Sequence, residues 1–65
     1  MNKIKVGIKL RTLRGDLPKE SVAKAVGVSE SAIGMYECGR RVPRDDVKVK
    51  LARFFGKSIE YIFFD

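Results

Sequence analysis

Four glycines, Gly15, Gly27, Gly39 and Gly56, cut the 65-residue chain into short segments. Each segment reads as a helix more easily than as a strand, because its apolar residues recur at helical spacing. Val6, Leu10 and Leu13 lie four and three residues apart, on one helical face. Val22, Ala23 and Val26 form a second stripe, and Ile33 with Tyr36 a third. Val47, Leu51, Ala52 and Phe55 form a fourth, and Ile59 with Ile62 a fifth. The expected fold is therefore all-α: a compact five-helix bundle around one small core, with mostly local contacts. One competing pattern remains at the start. Ile4, Val6, Ile8 and Leu10 alternate as in a strand, which leaves residues 2–6 open to an extended conformation.

Boundary residues support the division. Proline is tolerated in the first turn of a helix, so a second helix begins around Pro18, with Asp16 placed to cap it. Gly27 stands where that helix ends and the left-handed conformation is easy for glycine. Val28 reads as a buried staple and Ser29 as the N-cap of a third helix. Pro43 precedes a fourth helix, whose first turn carries Asp45 and Asp46, favourable to its dipole. Gly56 ends it, and Ser58 caps a last short helix.

Size and composition bound the function. A chain of this length makes one domain, residues 1–65, and buries only about 60% of its unfolded surface. It is therefore marginal alone and open to help from a partner subunit. Hydrophobic residues make up 45% of the chain, enough for a real core. A single cysteine rules out an internal disulfide and fits a reducing cytoplasm. Without histidine, a zinc site or a Cys–His nucleophile pair is implausible, and no metal or cofactor is expected. No apolar run approaches a membrane span, and residues 1–6 lack a signal-peptide block. No spacing of nucleophile, base and acid is visible, nor a phosphate-cradling glycine loop, so neither an enzyme nor a small-molecule substrate is expected.

The net charge of +6 points to a polyanionic partner, nucleic acid first, against the plain alternative that it only keeps the chain soluble. Its distribution says more. Lys3, Lys5, Lys9, Arg11 and Arg14 crowd the first fourteen residues, which hold no acid. Arg40, Arg41, Arg44, Lys48, Lys50, Arg53 and Lys57 crowd residues 40–57 against Asp45 and Asp46. Residues 29–37 between them carry only Glu30 and Glu37. If that stretch touches nucleic acid, it reads something other than phosphate charge.

Residues 18–37, two short helices joined by a tight turn with Gly27 and Val28, describe a helix-turn-helix. An ordinary packed helical hairpin fits the same turn. Further residues separate the two. Leu10-Arg11-Thr12-Leu13-Arg14, Val22-Ala23, Gly27-Val28-Ser29, Ile33 and Tyr36-Glu37-Cys38-Gly39-Arg40-Arg41-Val42-Pro43 follow in order. Leu51-Ala52, Phe55 and Ser58-Ile59-Glu60-Tyr61-Ile62-Phe63 complete the series. With these the chain resembles the Cro/CI-type helix-turn-helix regulators, or XRE family, of bacteria and their phages. The aromatic-Glu-x-Gly-basic block is the most specific part.

The resemblance implies a lambda-repressor-like DNA-binding domain acting as a transcriptional regulator, usually as a dimer on a two-fold operator. It puts Glu30, Ser31, Gly34 and Met35 against base edges. Glu30 can accept from cytosine N4, Ser31 can donate or accept, and Met35 offers apolar contact. Gly34 permits close approach, at a helix cost of about 1 kcal/mol relative to Ala. Relatives often carry Gln, Arg or Lys here, so affinity must come from the flanks. For Glu30 the plain reading is a dipole-favoured carboxylate on a solvated helix. Lys19, where relatives have a polar residue, and Arg40 and Arg41, on the following loop, become phosphate contacts. Pro18 stands where relatives have Ser or Thr, which puts the cap of the second helix in question. Arg14 and Glu37 become a structural ion pair, and Cys38 an incidental small residue. Lys3, Lys5, Lys48, Lys50 and Lys57 read as solvated charges.

The C-terminal helices, about residues 44–64, hold more apolar surface than the core needs. Phe54, Tyr61, Phe63 and Phe64 are left over and suggest a homodimer interface. The competing placement folds Phe63 and Phe64 back over the first helix. Two functions follow. One is a small Cro-like repressor that binds a palindromic double-stranded DNA operator as a dimer through the major groove. The other is a protein-interaction module, an antitoxin or anti-repressor, on the same fold.

Overall fold

The computed structural model describes residues 1–64, whose regular elements are all helices, with no strand among them. Five helices follow in order: α1 (Lys3–Arg14), α2 (Lys19–Val26), α3 (Glu30–Glu37), α4 (Asp45–Phe55) and α5 (Glu60–Phe64). They enclose one core in which Val6 and Leu10 of α1 meet Val22 and Val26 of α2. Ile33 and Tyr36 of α3, Val47 and Leu51 of α4, and Ile62 and Phe63 of α5 complete it.

The ambiguity at the N-terminus resolves as helix. Asn2 Oδ1 accepts hydrogen bonds from the amides of Ile4 (3.0 Å) and Lys5 (3.1 Å), a side-chain cap that the sequence reading missed. Of the four alternating residues, Val6 and Leu10 are buried while Ile4 and Ile8 face outward. Helical phase, not alternation, decides which are inside. On the buried side, α1 crosses the end of α3 so closely that a Cβ on Gly7 would collide with the carbonyl oxygens of Glu37 and Tyr36. A larger residue at position 7 would push the two helices apart.

Asp16 does not cap α2. The N-cap is Pro18, with no side-chain cap bond, and Asp16 lies two residues too early to reach the first free amides. Arg14 shapes this corner instead: its Nη1 donates to Leu17 O at 2.7 Å, and Leu17 N donates to Arg14 O at 3.0 Å.

The last helix is a wider, π-type turn rather than an ordinary short helix. Ser58 Oγ accepts from Tyr61 N at 3.0 Å and starts it. The neighbours Ile62 and Phe63 both point inward there, as Val22 and Ala23 do in α2 and Leu51 and Ala52 in α4. This corrects the expectation for Phe63, which is 2% exposed and part of the core. It fills the space that α5 shares with α1 and is unavailable to a partner. Phe54, Tyr61 and Phe64 remain exposed. Lys48 also departs from expectation. Its side chain is 11% exposed, 3.3 Å from Asp45, and its ammonium lies 5.9 and 5.6 Å from the Phe63 and Phe64 ring centres. Lys57 is likewise engaged, 5.4 Å from the Tyr61 ring centre, while Lys9 lies 4.4 Å from the same ring. None of these three ammonium groups is a plain solvated charge.

Candidate nucleic-acid interface

A three-residue turn, residues 27–29, sets α3 across α2. Gly27 sits at φ +73°, ψ +34°, a left-handed conformation that costs glycine no steric penalty. The chain reverses there, and Val28 N donates to Ala23 O at 3.0 Å. Val28 is half-buried against the core. Ser29 then caps α3, its Oγ accepting from Ala32 N at 3.0 Å. Ala23 is buried, a small residue on the inner face of α2.

With Ala32, Ile33 and Tyr36 turned inward, the opposite face of α3 carries Glu30, Ser31, Gly34 and Met35. Glu30 and Ser31 are exposed, and Gly34 and Met35 half-buried. Cationic residues border this face on two sides. A methyl group at Gly34 would lie 3.6 Å from Lys19 Nζ, so the lysine at the start of α2 reaches across to α3. Beyond the other end, the chain folds back on α3. Met35 O accepts from Arg40 N at 3.0 Å and from Arg41 N at 3.3 Å. The Cys38 thiol donates to the same oxygen at 3.6 Å. Gly39 permits this reversal at φ +76°. The residues named from the sequence for base edges and for phosphates thus share one surface.

Among the described residues, no hydrogen bond or ion pair engages the side chains of Lys19, Arg40 or Arg41. Arg44, absent from the sequence reading of the site, adds to this flank. With Arg41 it lines a cleft of about 290 Å³ floored by Val28, Ala32, Tyr36, Val42 and Val47. Its membership of the basic block 40–57 was the available signal.

Arg14 and Glu37 lie behind this surface. Arg14 Nε and Nη2 meet the two oxygens of Glu37 at 2.6 and 3.0 Å, a bidentate pair with side chains 10% and 9% exposed. The hydrogen bond to Glu37 raises the Arg14 pKa above its ordinary value, against the opposing effect of burial. The guanidinium therefore stays charged at any working pH. A group whose folded pKa is raised loses its contribution only as pH climbs through that value. The pair ties the end of α1 to the end of α3 and fixes the angle at which α3 leaves the body.

A short capped helix, exposed on one face, bordered by Lys19, Arg40 and Arg41 and set by a tight turn on its predecessor, defines a DNA-binding helix-turn-helix. Residues 8–62 match the family described as helix-turn-helix, and the chain belongs to it, among the XRE-type DNA-binding transcriptional regulators. It is similar to an uncharacterized HTH-type transcriptional regulator of Methanocaldococcus jannaschii, 42% identical over 48 residues. That alignment covers 74% of this chain and 73% of that protein. It is also similar to the crystal structure of the restriction-modification controller protein C.AhdI from Aeromonas hydrophila. There the TM-score is 0.82 at 31% identity, with 92% of this chain and 94% of the other covered. No helix among the described residues is long and apolar enough to cross a membrane.

Proposed function

We propose that this protein is a sequence-specific repressor of the Cro-like kind, acting in the cytoplasm as a homodimer on a palindromic operator. The observation that carries the reading is the shared surface of α3 with Lys19 beside Gly34 and with Arg40 and Arg41 tethered to Met35. In this reading α3 enters the major groove. Glu30 accepts from cytosine N4, Ser31 bonds a base or phosphate, and Met35 packs on a thymine methyl. Arg40 and Arg41 hold the backbone, since α3 itself has no cation. The similarity to a restriction-modification controller supports a regulatory role.

The dimer rests on Phe54, Tyr61 and Phe64, exposed on the C-terminal helices. Two copies would set their α3 helices about 34–36 Å apart, one turn of DNA. Occupancy of the operator blocks a promoter, and the dimer equilibrium sets its concentration dependence. Selection from random duplexes tests this reading. It predicts a two-fold symmetric site with half-sites one turn apart, bound by a species of twice the protomer mass in sedimentation. Recovery of unrelated sequences, or a monomer at every concentration with and without the site, contradicts it.

The same exposed aromatics and the acidic, cation-free α3 favour a second reading, a protein-interaction module. Salt distinguishes the two. About six phosphate contacts give a slope near −5 in log affinity against log salt, whereas an aromatic protein interface barely responds.

A further inference from the structure

The chain has six glycines, and the fold accounts for five of them. Gly15, Gly27, Gly39 and Gly56 adopt positive φ. Gly7 is pressed against the backbone carbonyls of Tyr36 and Glu37. Gly34 has neither reason. It lies inside α3 without a positive φ, and a Cβ there would meet one neighbour alone, Lys19 Nζ at 3.6 Å. Glycine inside a helix destabilises it relative to alanine. What it leaves here is a shallow notch on the outer face, one turn beyond Glu30, with a lysine ammonium close enough to touch an added methyl group without clashing with it.

The charge pattern gives the notch a purpose. No residue of α3 carries a cation, so the helix presents no strong donor to the acceptor-rich edge of guanine. Lys19 supplies one from the neighbouring helix. As the first residue of α2, its positive charge is disfavoured near the helix N-terminus. The side chain instead runs outward to Gly34, and no carboxylate among the described residues holds it. An ammonium that reaches from the border of α3's exposed face as far as Gly34 is positioned for bases and not only for a phosphate.

We propose that Lys19 is a specificity-determining residue that reads guanine O6 and N7 in the major groove across the Gly34 notch. Lysine to this edge is an established direct-readout pairing. The inference rests on α3 being the base-facing helix.

Affinities of the wild type, Lys19→Met and Gly34→Ala are measured against the duplex selected by the wild type and all its single-base-pair variants, at several salt concentrations. The wild type should prefer G·C at one position per half-site by about 10-fold. Lys19→Met, which keeps the stem and loses the charge, should erase that preference and leave the penalties at other positions unchanged. Gly34→Ala, whose methyl group stands in ordinary contact with the ammonium, should keep the preference and melt no lower than the wild type, since alanine favours helix. Lys19→Arg should restore at least part of it.

A Lys19→Met protein that binds every duplex more weakly by one common factor, with the salt slope smaller by about 1, overturns the proposal and makes Lys19 a phosphate contact. If the wild type itself selects no duplex, the base-facing role of α3 fails first, and this proposal with it.

Discussion

Arg14 and the pair Arg40–Arg41 both meet the last turn of α3 and are used in opposite ways. Arg14 is 10% exposed and bonds both oxygens of Glu37, with a third bond to Leu17 O. Arg40 and Arg41 are exposed, and only their backbone amides are engaged, at Met35 O. A guanidinium enclosed with its carboxylate contributes to one geometry of the fold. A guanidinium left in water keeps its charge available to a partner. The difference predicts that substitutions on the two sides separate into losses of stability and losses of affinity.

The largest effect is expected at Glu37. Glu37→Ala strands a mostly buried guanidinium and should cost about 3–5 kcal/mol, much of the stability of so small a domain. In thermal melts it should be largely unfolded near room temperature, before any change of sequence preference can be read. A variant that melts like the wild type and loses only DNA binding would move Glu37 to the other side of the comparison.

Gly7→Ala comes next. The added methyl meets the carbonyls of Glu37 and Tyr36, which cannot yield as a flexible side chain does. The expected cost is about 3 kcal/mol, near the upper end for overpacking. That corresponds to a fall in melting temperature of at least about 12 °C. An unchanged melting temperature would mean that α1 and α3 do not approach as closely as described.

The smallest effect on stability is expected at Arg40 and Arg41. Alanine at both should leave the melt within about 0.5 kcal/mol of wild type. Affinity should fall for all duplexes alike, and the salt slope should shrink by about 0.9 for each phosphate released. A lower melting temperature without a change in slope would erase the distinction from Arg14.

The helices were legible in the sequence because their apolar spacing and their glycine and proline punctuation are local signals. Ser29 and Gly27 fix the turn from within three residues of it, so the helix-turn-helix could be bounded before any coordinates. Arg14 and Glu37 are 23 residues apart, and no local pattern links them; only resemblance to a family suggested their pairing. Asn2 was missed because the alternation after it competed with its value as a cap. Phe63 was misplaced because Ile59 and Ile62 already filled the inner stripe read from spacing, and the space against α1 that Phe63 occupies is set by a non-local contact. Lys48 was read as solvated because its contacts with Phe63 and Phe64 depend on how α5 lies against α4. The Gly34 notch was half legible: the glycine was plain, the lysine reaching to it was not.

The central claim is that DNA meets the face of α3 between Lys19 and the Arg40–Arg41 loop. Amide chemical-shift perturbation on adding a short mixed-sequence duplex at low salt tests it most directly. The account predicts shifts at Lys19, at Glu30 to Met35 and at Arg40 and Arg41, whether or not the dimer residues of α5 shift with them. Shifts gathered at Phe54, Tyr61 and Phe64 with α3 unmoved would contradict it.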